Sequence, residues 1–312
     1  MNPFTTPLIT PTEYYNATTP NSNSNSNATP THRRIIPLAA YRPTLHASFT
    51  SHHLPNTKFF PLHRLPSLTT PTSPSYFTNI MTALDIHPTD ILVIYDAEET
   101  GTYHAPRLAF LCQYFGHANV HVLNNFKRWV GMGFPLGSDG LDLDLDGSGA
   151  GGIGYIVDAS KISHERVISF EEVKEIVTQG GKNKDGNKVM ILDARIPGRF
   201  RGVENEMDAS LRSGHMPGAV NVPLKTLLGE EGVILSGEEL RGVLGDAGAL
   251  GEGEVEGEVE YILTCNSGVT AAALDLALRL VGVKGGRRLY DGSWMELTRR
   301  VGDELIEVDT GM

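Results

Sequence analysis

One cysteine stands where a sulfur nucleophile could work. Tyr261-Ile262-Leu263-Thr264 is an apolar run of strand length that meets Cys265, passes through Asn266-Ser267-Gly268-Val269-Thr270, and enters an alanine-rich segment, 271–280, with helical spacing. The pattern predicts strand, tight loop and helix, with Cys265 at the mouth of the helix. Backbone N–H groups of such a loop form an anion-binding nest, and the helix adds the positive end of its dipole, so the setting favours a thiolate over a thiol. The other reading of a lone cysteine is a small buried hydrophobe.

Holding such a loop takes a layered domain, and a chain of 312 residues suggests two domains. A hydrophobic content of 40% is enough for real cores. The formal charge of −11 argues against direct nucleic-acid binding and against an anionic membrane surface, since both need basic patches, though it leaves room for a local basic pocket. Two cysteines, Cys112 and Cys265, make no secreted-type disulfide framework, and no apolar stretch approaches the roughly 20 residues of a membrane span. A cytoplasmic protein is expected. The alternative is mitochondrial, because the amino-terminal stretch is Ser/Thr-rich and acid-poor, although it has no Lys or Arg before Arg33.

Along the chain, Thr10 and Pro11 read as the cap and first position of a short helix, and an Asn/Ser tract from Asn21 to Asn27 follows as polar low complexity. Residues 33–38 read as a strand weakened by Pro37, 90–96 as a strand covered on both faces, 105–112 as a helix, and 120–123 as a short strand. Gly137 to Gly154 reads as a Gly/Asp-rich linker; its Leu/Asp alternation lacks the order of a calcium loop. Beyond it, Ser169 with Glu172 forms a capping box, residues 189–195 read as a strand ending in charge, and 251–260, with five glutamates, as an exposed acidic loop. Strands alternating with helices predict an α/β architecture. The expected division is an N-terminal segment 1–34, a first domain 35–136, the linker 137–154 and a second domain 155–312.

The two halves repeat. Ile36 to Tyr41 lies against Ile191 to Arg195, His53-Leu54-Pro55 against His215-Met216-Pro217, Ile91 to Asp96 against Tyr261 to Cys265, and Val122 to Trp129 against Leu289 to Trp294. The only two tryptophans fall in corresponding places. Where the second half has Asp193, Arg195 and Cys265, the first has Ala39, Tyr41 and Asp96. A nucleophilic thiolate and a cation for an anionic substrate thus occur only in the second copy, which makes it the reacting domain.

These residues resemble a family. Asp193-Ala194-Arg195, Gly198-Arg199-Phe200-Arg201-Gly202, Ser213 to Ala219, the loop 265–270 and Tyr290-Asp291-Gly292-Ser293-Trp294 are similar to the catalytic half of two-domain rhodanese-type sulfurtransferases, and Ala105-Pro106-Arg107 and Phe115-Gly116-His117 resemble the other half. The fold this implies is two tandem rhodanese-like domains, each a mostly parallel sheet flanked by helices, with the site in the cleft between them. The loop resembles the 3-mercaptopyruvate branch, because Asn266 and Ser267 stand where the thiosulfate branch carries basic residues.

The resemblance implies that Cys265 attacks the donor's sulfur, keeps it as a persulfide and passes it to a thiol or cyanide. It implies further that Ser267 helps move protons, that Arg199 holds a carboxylate, and that Asn266, Gly268, Val269 and Thr270 form the loop around the sulfur. Asp208 aligns with the family's second carboxylate-binding arginine, which leaves that role to Arg212. His63 aligns near the acidic residue that partners the loop serine in the family. His215 and Asp193 are expected to be structural, and Trp294 a core or wall residue. The partners implied are a small anionic sulfur donor and a thiol acceptor such as thioredoxin, or, as a persulfide carrier, a desulfurase and a tRNA-thiolation partner. No cofactor and no metal is expected, because neither a dinucleotide-binding glycine pattern nor a His/Cys metal spacing occurs. A cysteine phosphatase would need an arginine six residues after the nucleophile, and that place is Ala271.

Overall fold

In a computed structural model of the chain, the structure describes residues 1–19, 33–68, 70, 73–137, 154–250 and 259–309. The Asn/Ser tract, the Leu/Asp alternation of the linker and residues 251–258 of the acidic loop lie outside the described residues. Among the described residues, ten strands make two five-stranded sheets, and every pairing in them is parallel. The first contains β1 (Leu8–Ile9), β2 (Ile35–Tyr41), β3 (Lys58–Pro61), β4 (Ile91–Tyr95) and β5 (Val120–Leu123), in the order β1-β5-β4-β2-β3. The second contains β6 (Val167–Ile168), β7 (Val189–Asp193), β8 (Val220–Asn221), β9 (Glu260–Thr264) and β10 (Arg287–Tyr290), in the order β6-β10-β9-β7-β8.

The two orders correspond strand for strand, so the repeat is structural: β2 matches β7, β4 matches β9 and β5 matches β10. It reaches further than the quoted sequence pairs. β1 and the helix Pro11–Thr18 correspond to β6 and the helix Phe170–Thr178, and both helices open on a capping box, Thr10 with Glu13 and Ser169 with Glu172. Residues 8 and 9 thus form an edge strand of the first sheet, where β1 pairs with β5, and no separate N-terminal segment. The tryptophans occupy corresponding helices but not the same place in them: Trp129 is six residues past the end of β5, Trp294 four past the end of β10.

Cα packing divides the chain into two units. Met1–Pro66, Thr70–Ser163 and Glu230–Ile234 form the first, and Ser67–Thr69, His164–Gly229 and Leu235–Met312 the second. The stretch 155–163, expected to open the second domain, therefore belongs to the first unit. Tyr155 is buried against Phe77, its N–H donates to Thr82 Oγ1 at 2.9 Å, and the Ser163 N–H donates to the Tyr114 carbonyl at 2.9 Å. Pro37 does not weaken β2, which runs seven residues, because β2 pairs with β3 only from Leu38 onward.

β4 is buried at all five positions and β9 at four of five, as expected of central parallel strands covered on both faces. The helix Ala271–Leu280 is buried at its first eight positions, and its alanines let it lie close to the sheet. Its buried Asp275 is answered by Arg166 at 2.8 Å and Arg287 at 3.2 Å. In the first unit, Asp96 follows β4, and its carboxylate accepts the N–H groups of Tyr103, His104 and Ala105 at 2.8–3.0 Å, at the start of the helix Ala105–Tyr114. Replacing Asp96 by Ala orphans three donors and is expected to cost about 2–4 kcal/mol. Asp96→Asn keeps one acceptor oxygen and is expected to lose less, both read as a fall in the denaturation midpoint.

Candidate active site

Cys265 follows β9 directly, and its neighbour across the sheet is the end of β7. Thr264 and Asp193 are register partners, and the Ala194 N–H donates to the Thr264 carbonyl at 2.9 Å. This is the point where chain order reverses in the sheet, β7 leading to β8 on one side and β9 to β10 on the other. Open parallel sheets place their ligand sites there, beyond the carboxyl ends of the strands.

Both backbone groups of Cys265 are held. Its N–H donates to Ser293 Oγ at 3.3 Å, and its carbonyl accepts the Trp294 N–H at 3.0 Å. The Asn266 carbonyl accepts the Met295 N–H at 3.0 Å. The first N–H groups of the helix Ser293–Arg300 need acceptors from outside the helix, and the cysteine loop supplies them. Ser293 is the joint: its φ of +49° is a left-handed conformation unusual for a residue with a side chain, and its hydroxyl donates to the Tyr290 carbonyl at 2.7 Å.

The loop then turns through Gly268 at φ +75° and enters the helix Ala271–Leu280, with Ser267 exposed and Thr270 buried. The backbone N–H groups of Asn266 to Thr270 donate no hydrogen bond among the described residues. Cys265 itself is 2% exposed. The other cysteine, Cys112, is enclosed in the helix Ala105–Tyr114, where burial pushes its thiol up and keeps it unreactive.

The cation expected from the comparison of the two halves, Arg195, is not available to a ligand. It is buried and spends Nε and Nη2 on Asp193, Nη2 also on the Gly214 carbonyl, and Nη1 on Glu206 at 2.9 Å. Its Cζ lies 4.0 Å from the centroid of the Trp294 ring. Asp193 is thereby structural, as expected, and Trp294 is a core residue whose indole N–H donates to the Arg212 carbonyl at 2.8 Å. Arg199, four residues on in the short helix Pro197–Phe200, is partly exposed, and among the described residues its one ion-pair partner is Glu206, Nε to Oε2 at 3.9 Å.

Arg212, left by the sequence reading to fill the place at Asp208, is hydrogen-bonded to the end of another helix. Its Nη2 donates to the carbonyls of Thr298 and Val301 at 2.6 Å and its Nη1 to Asp303 at 2.7 Å, so the guanidinium closes the end of the helix Ser293–Arg300. Asp208 caps its own turn by accepting the Ser210 N–H and hydroxyl, which hold its carboxyl below the usual range, and it pairs with Arg299. His215 is a turn residue, stacked on Phe200 and bonded from Nδ1 to the Phe200 carbonyl. His63, in the first unit, has its imidazole pushed down by burial and by Arg64 and Arg42.

Two residues of this constellation were missed from sequence. Ser293 lies inside a quoted motif, and its fixed distance before Trp294 was the available signal. Glu206 is the single buried residue in the exposed stretch 203–210, and nothing in its neighbours marks it. Among the described residues no group of three or more His, Cys, Asp or Glu could hold a metal ion, and no helix is long and apolar enough to cross a membrane.

A cysteine on a helix-mouthed loop after the central strand, in the second of two matching α/β units, defines the class. The Rhodanese-like domain family matches residues 177–300. Thiosulfate sulfurtransferase of Gallus gallus is 31% identical over 276 residues, covering 86% of each chain. 3-Mercaptopyruvate sulfurtransferase of Mus musculus is 29% identical over 283 residues, covering 88% of this chain and 87% of that one. The Tum1 protein from Saccharomyces cerevisiae superposes with a TM-score of 0.78 at 26% identity, covering 97% and 98% of the chains. The yeast mitochondrial complex I sub-stoichiometric sulfur transferase subunit gives 0.71 at 27%, covering 96% and 99%. The chain belongs to the rhodanese-type sulfurtransferases. It is an enzyme of sulfur transfer, built as two tandem rhodanese-like units.

Since Arg212 closes a helix end, Arg212→Ala is expected to cost about 1–2 kcal/mol of stability, read as a lower melting temperature. Donor saturation is expected to stay at the wild-type value; a raised KM with an unchanged melting temperature would return Arg212 to the binding site.

Proposed function

We propose that this sulfurtransferase moves sulfane sulfur from 3-mercaptopyruvate to a thiol acceptor, or to cyanide, through a persulfide on Cys265. The observation that carries the reading is the loop itself, Cys265 held at both backbone groups with five following N–H groups uncommitted and no basic side chain at Asn266 or Ser267. Relatives of both donor names match at nearly equal identity, so it is the loop composition and the uncommitted Arg199 that favour a carboxylate-bearing donor.

In the proposed reaction the Cys265 thiolate attacks the donor sulfur. The carbon–sulfur bond breaks, and its electron pair stays on carbon as the enolate of pyruvate, which takes up a proton. The acceptor, as thiolate or cyanide, then attacks the outer sulfur of the persulfide, the sulfur–sulfur bond breaks, and Cys265 leaves again as a thiolate. The loop N–H groups stabilise the anionic sulfur at each stage, Arg199 holds the donor carboxylate through paired N–H donors, and the exposed hydroxyl of Ser267 serves the proton movements.

Cys265→Ser is expected to abolish transfer and to remove the added sulfur mass from the intact protein after incubation with donor. Arg199→Ala is expected to raise the KM for 3-mercaptopyruvate by about ten- to a hundredfold, the worth of one charged hydrogen bond or a little more. Parallel rates with 3-mercaptopyruvate and thiosulfate, each with cyanide and with thioredoxin or dithiothreitol, test the donor. A clear preference for thiosulfate overturns that part of the reading.

A second reading is a persulfide carrier between proteins, loaded by a desulfurase and serving a relay such as tRNA thiolation. The similarity to a mitochondrial complex I sulfur transferase subunit supports it, and supports a mitochondrial over a cytoplasmic location. High turnover with free 3-mercaptopyruvate argues against the carrier; loading only from a partner desulfurase argues for it.

A further inference from the structure

Glu206 is buried, and its two carboxylate oxygens are used unequally. Oε1 accepts Arg195 Nη1 at 2.9 Å, while Oε2 has no hydrogen-bond partner among the described residues. Arg199 Nε is likewise buried and without a hydrogen bond, and it is the group 3.9 Å from that free oxygen. A buried carboxylate oxygen without a donor and a buried N–H without an acceptor, facing each other just beyond bonding distance, are unsatisfied separately and satisfied together by a shift of about 1 Å. The Arg199 side chain is 22% exposed and can make that shift, whereas Glu206 is fixed by Arg195, which is fixed in turn by Asp193 and Trp294.

We propose that Glu206 is a positioning residue for Arg199: its Oε2 takes the Arg199 Nε–H when donor binds, which orients both terminal nitrogens toward the donor carboxylate. This rests on the reading of Arg199 as the carboxylate holder and explains how a single arginine can act as a fork here, with Arg212 committed elsewhere. A guanidinium offers two parallel N–H donors to a carboxylate only in a fixed orientation, and a second carboxylate at Nε sets it.

The test uses two alkylating agents of nearly equal size, iodoacetate with a carboxylate and iodoacetamide without one, whose ratio of rates at Cys265 reports how well the site holds a carboxylate. Glu206→Gln is expected to leave the iodoacetamide rate within about twofold of wild type and to lower the iodoacetate-to-iodoacetamide ratio roughly three- to tenfold. The KM for 3-mercaptopyruvate is expected to rise by more than kcat falls. Glu206→Asp keeps the charge but withdraws the carboxylate by one methylene. Positioning predicts that it too lowers the ratio, whereas a purely electrostatic role predicts a wild-type ratio.

A ratio unchanged or raised in Glu206→Gln overturns the proposal, since removing a negative charge without loss of orientation would favour the anionic reagent. Equal slowing with both reagents also overturns it, because that is the signature of a merely structural role through Arg195. Arg199→Ala separates the two layers. If it leaves the ratio at the wild-type value, the carboxylate role of Arg199 fails. If it lowers the ratio and Glu206→Gln does not, only the role of Glu206 fails. In the Arg199→Ala/Glu206→Gln protein the second change is expected to add no further loss.

Discussion

Arg195 is carried into the second unit at 4% exposure, and a guanidinium that deep persists because each of its faces is answered. Asp193 takes Nε and Nη2, Glu206 takes Nη1, the Gly214 carbonyl takes Nη2 again, and the Trp294 ring covers the plane. Removing one partner from such a set leaves an uncompensated charge and typically costs about 3–5 kcal/mol, so the arrangement is held in one geometry more firmly than an apolar contact would hold it. Its value is in what it joins. Asp193 ends β7, Glu206 and Gly214 lie on the connection to β8, and Trp294 opens the helix after β10. The same Trp294 gives its backbone N–H to the Cys265 carbonyl, and Ser293 beside it takes the Cys265 N–H. The position of the cysteine is therefore referred, through one tryptophan, to a buried ion network.

The two units solve the same electrostatic problem in opposite ways. A strand–loop–helix crossing leaves N–H groups that favour an anion at the carboxyl end of the central strand. In the first unit Asp96 fills that demand from within the chain, its carboxylate taking three N–H groups at the start of the helix Ala105–Tyr114. In the second unit the residue at that point is Cys265, and the N–H groups of 266–270 are left uncommitted. The Asp96 carboxylate ties loop and helix together in the first unit, whereas Cys265 leaves the corresponding N–H groups without an acceptor among the described residues. At the ends of the two matched central strands the units thus differ in one side chain, Asp96 in the first and Cys265 in the second.

Backbone architecture was legible in the sequence to the extent that periodicity carries it. The apolar runs at 90–96 and 261–264 gave central strands, Ser169 with Glu172 gave a helix start, and the paired segments gave the tandem design. The Thr10–Glu13 capping box carried the same message for the first copy, and the strand before it is too short, at two residues, to show a period. Side-chain partnership was less legible. Arg195, Arg199 and Arg212 look alike in sequence, yet the first is a buried hub, the second has no side-chain ion pair but Glu206 among the described residues, and the third closes a helix. The reach of a guanidinium depends on where the backbone of a distant segment passes, such as Thr298 and Val301 for Arg212, and spacing along the chain does not encode that.

Charge adds a constraint that bears on how such a site can select its substrate. The chain carries a formal charge of −11, so a small anionic donor gains nothing from the field of the whole molecule. At physiological salt that field is screened over about 8 Å, and what remains is the local pattern. Within this group two arginines, Arg195 and Arg199, stand with two carboxylates, Asp193 and Glu206, so the local sum is close to neutral. On the proposed reading, attraction of an anion depends on orientation, with Arg199 and the loop N–H groups left to the ligand while Asp193 and Glu206 both bond Arg195. Selectivity built on orientation is lost when the supporting side chains shift, even if every charge is kept. On that reading, the chemistry proposed for Cys265 depends on the rigidity of the buried network that positions it.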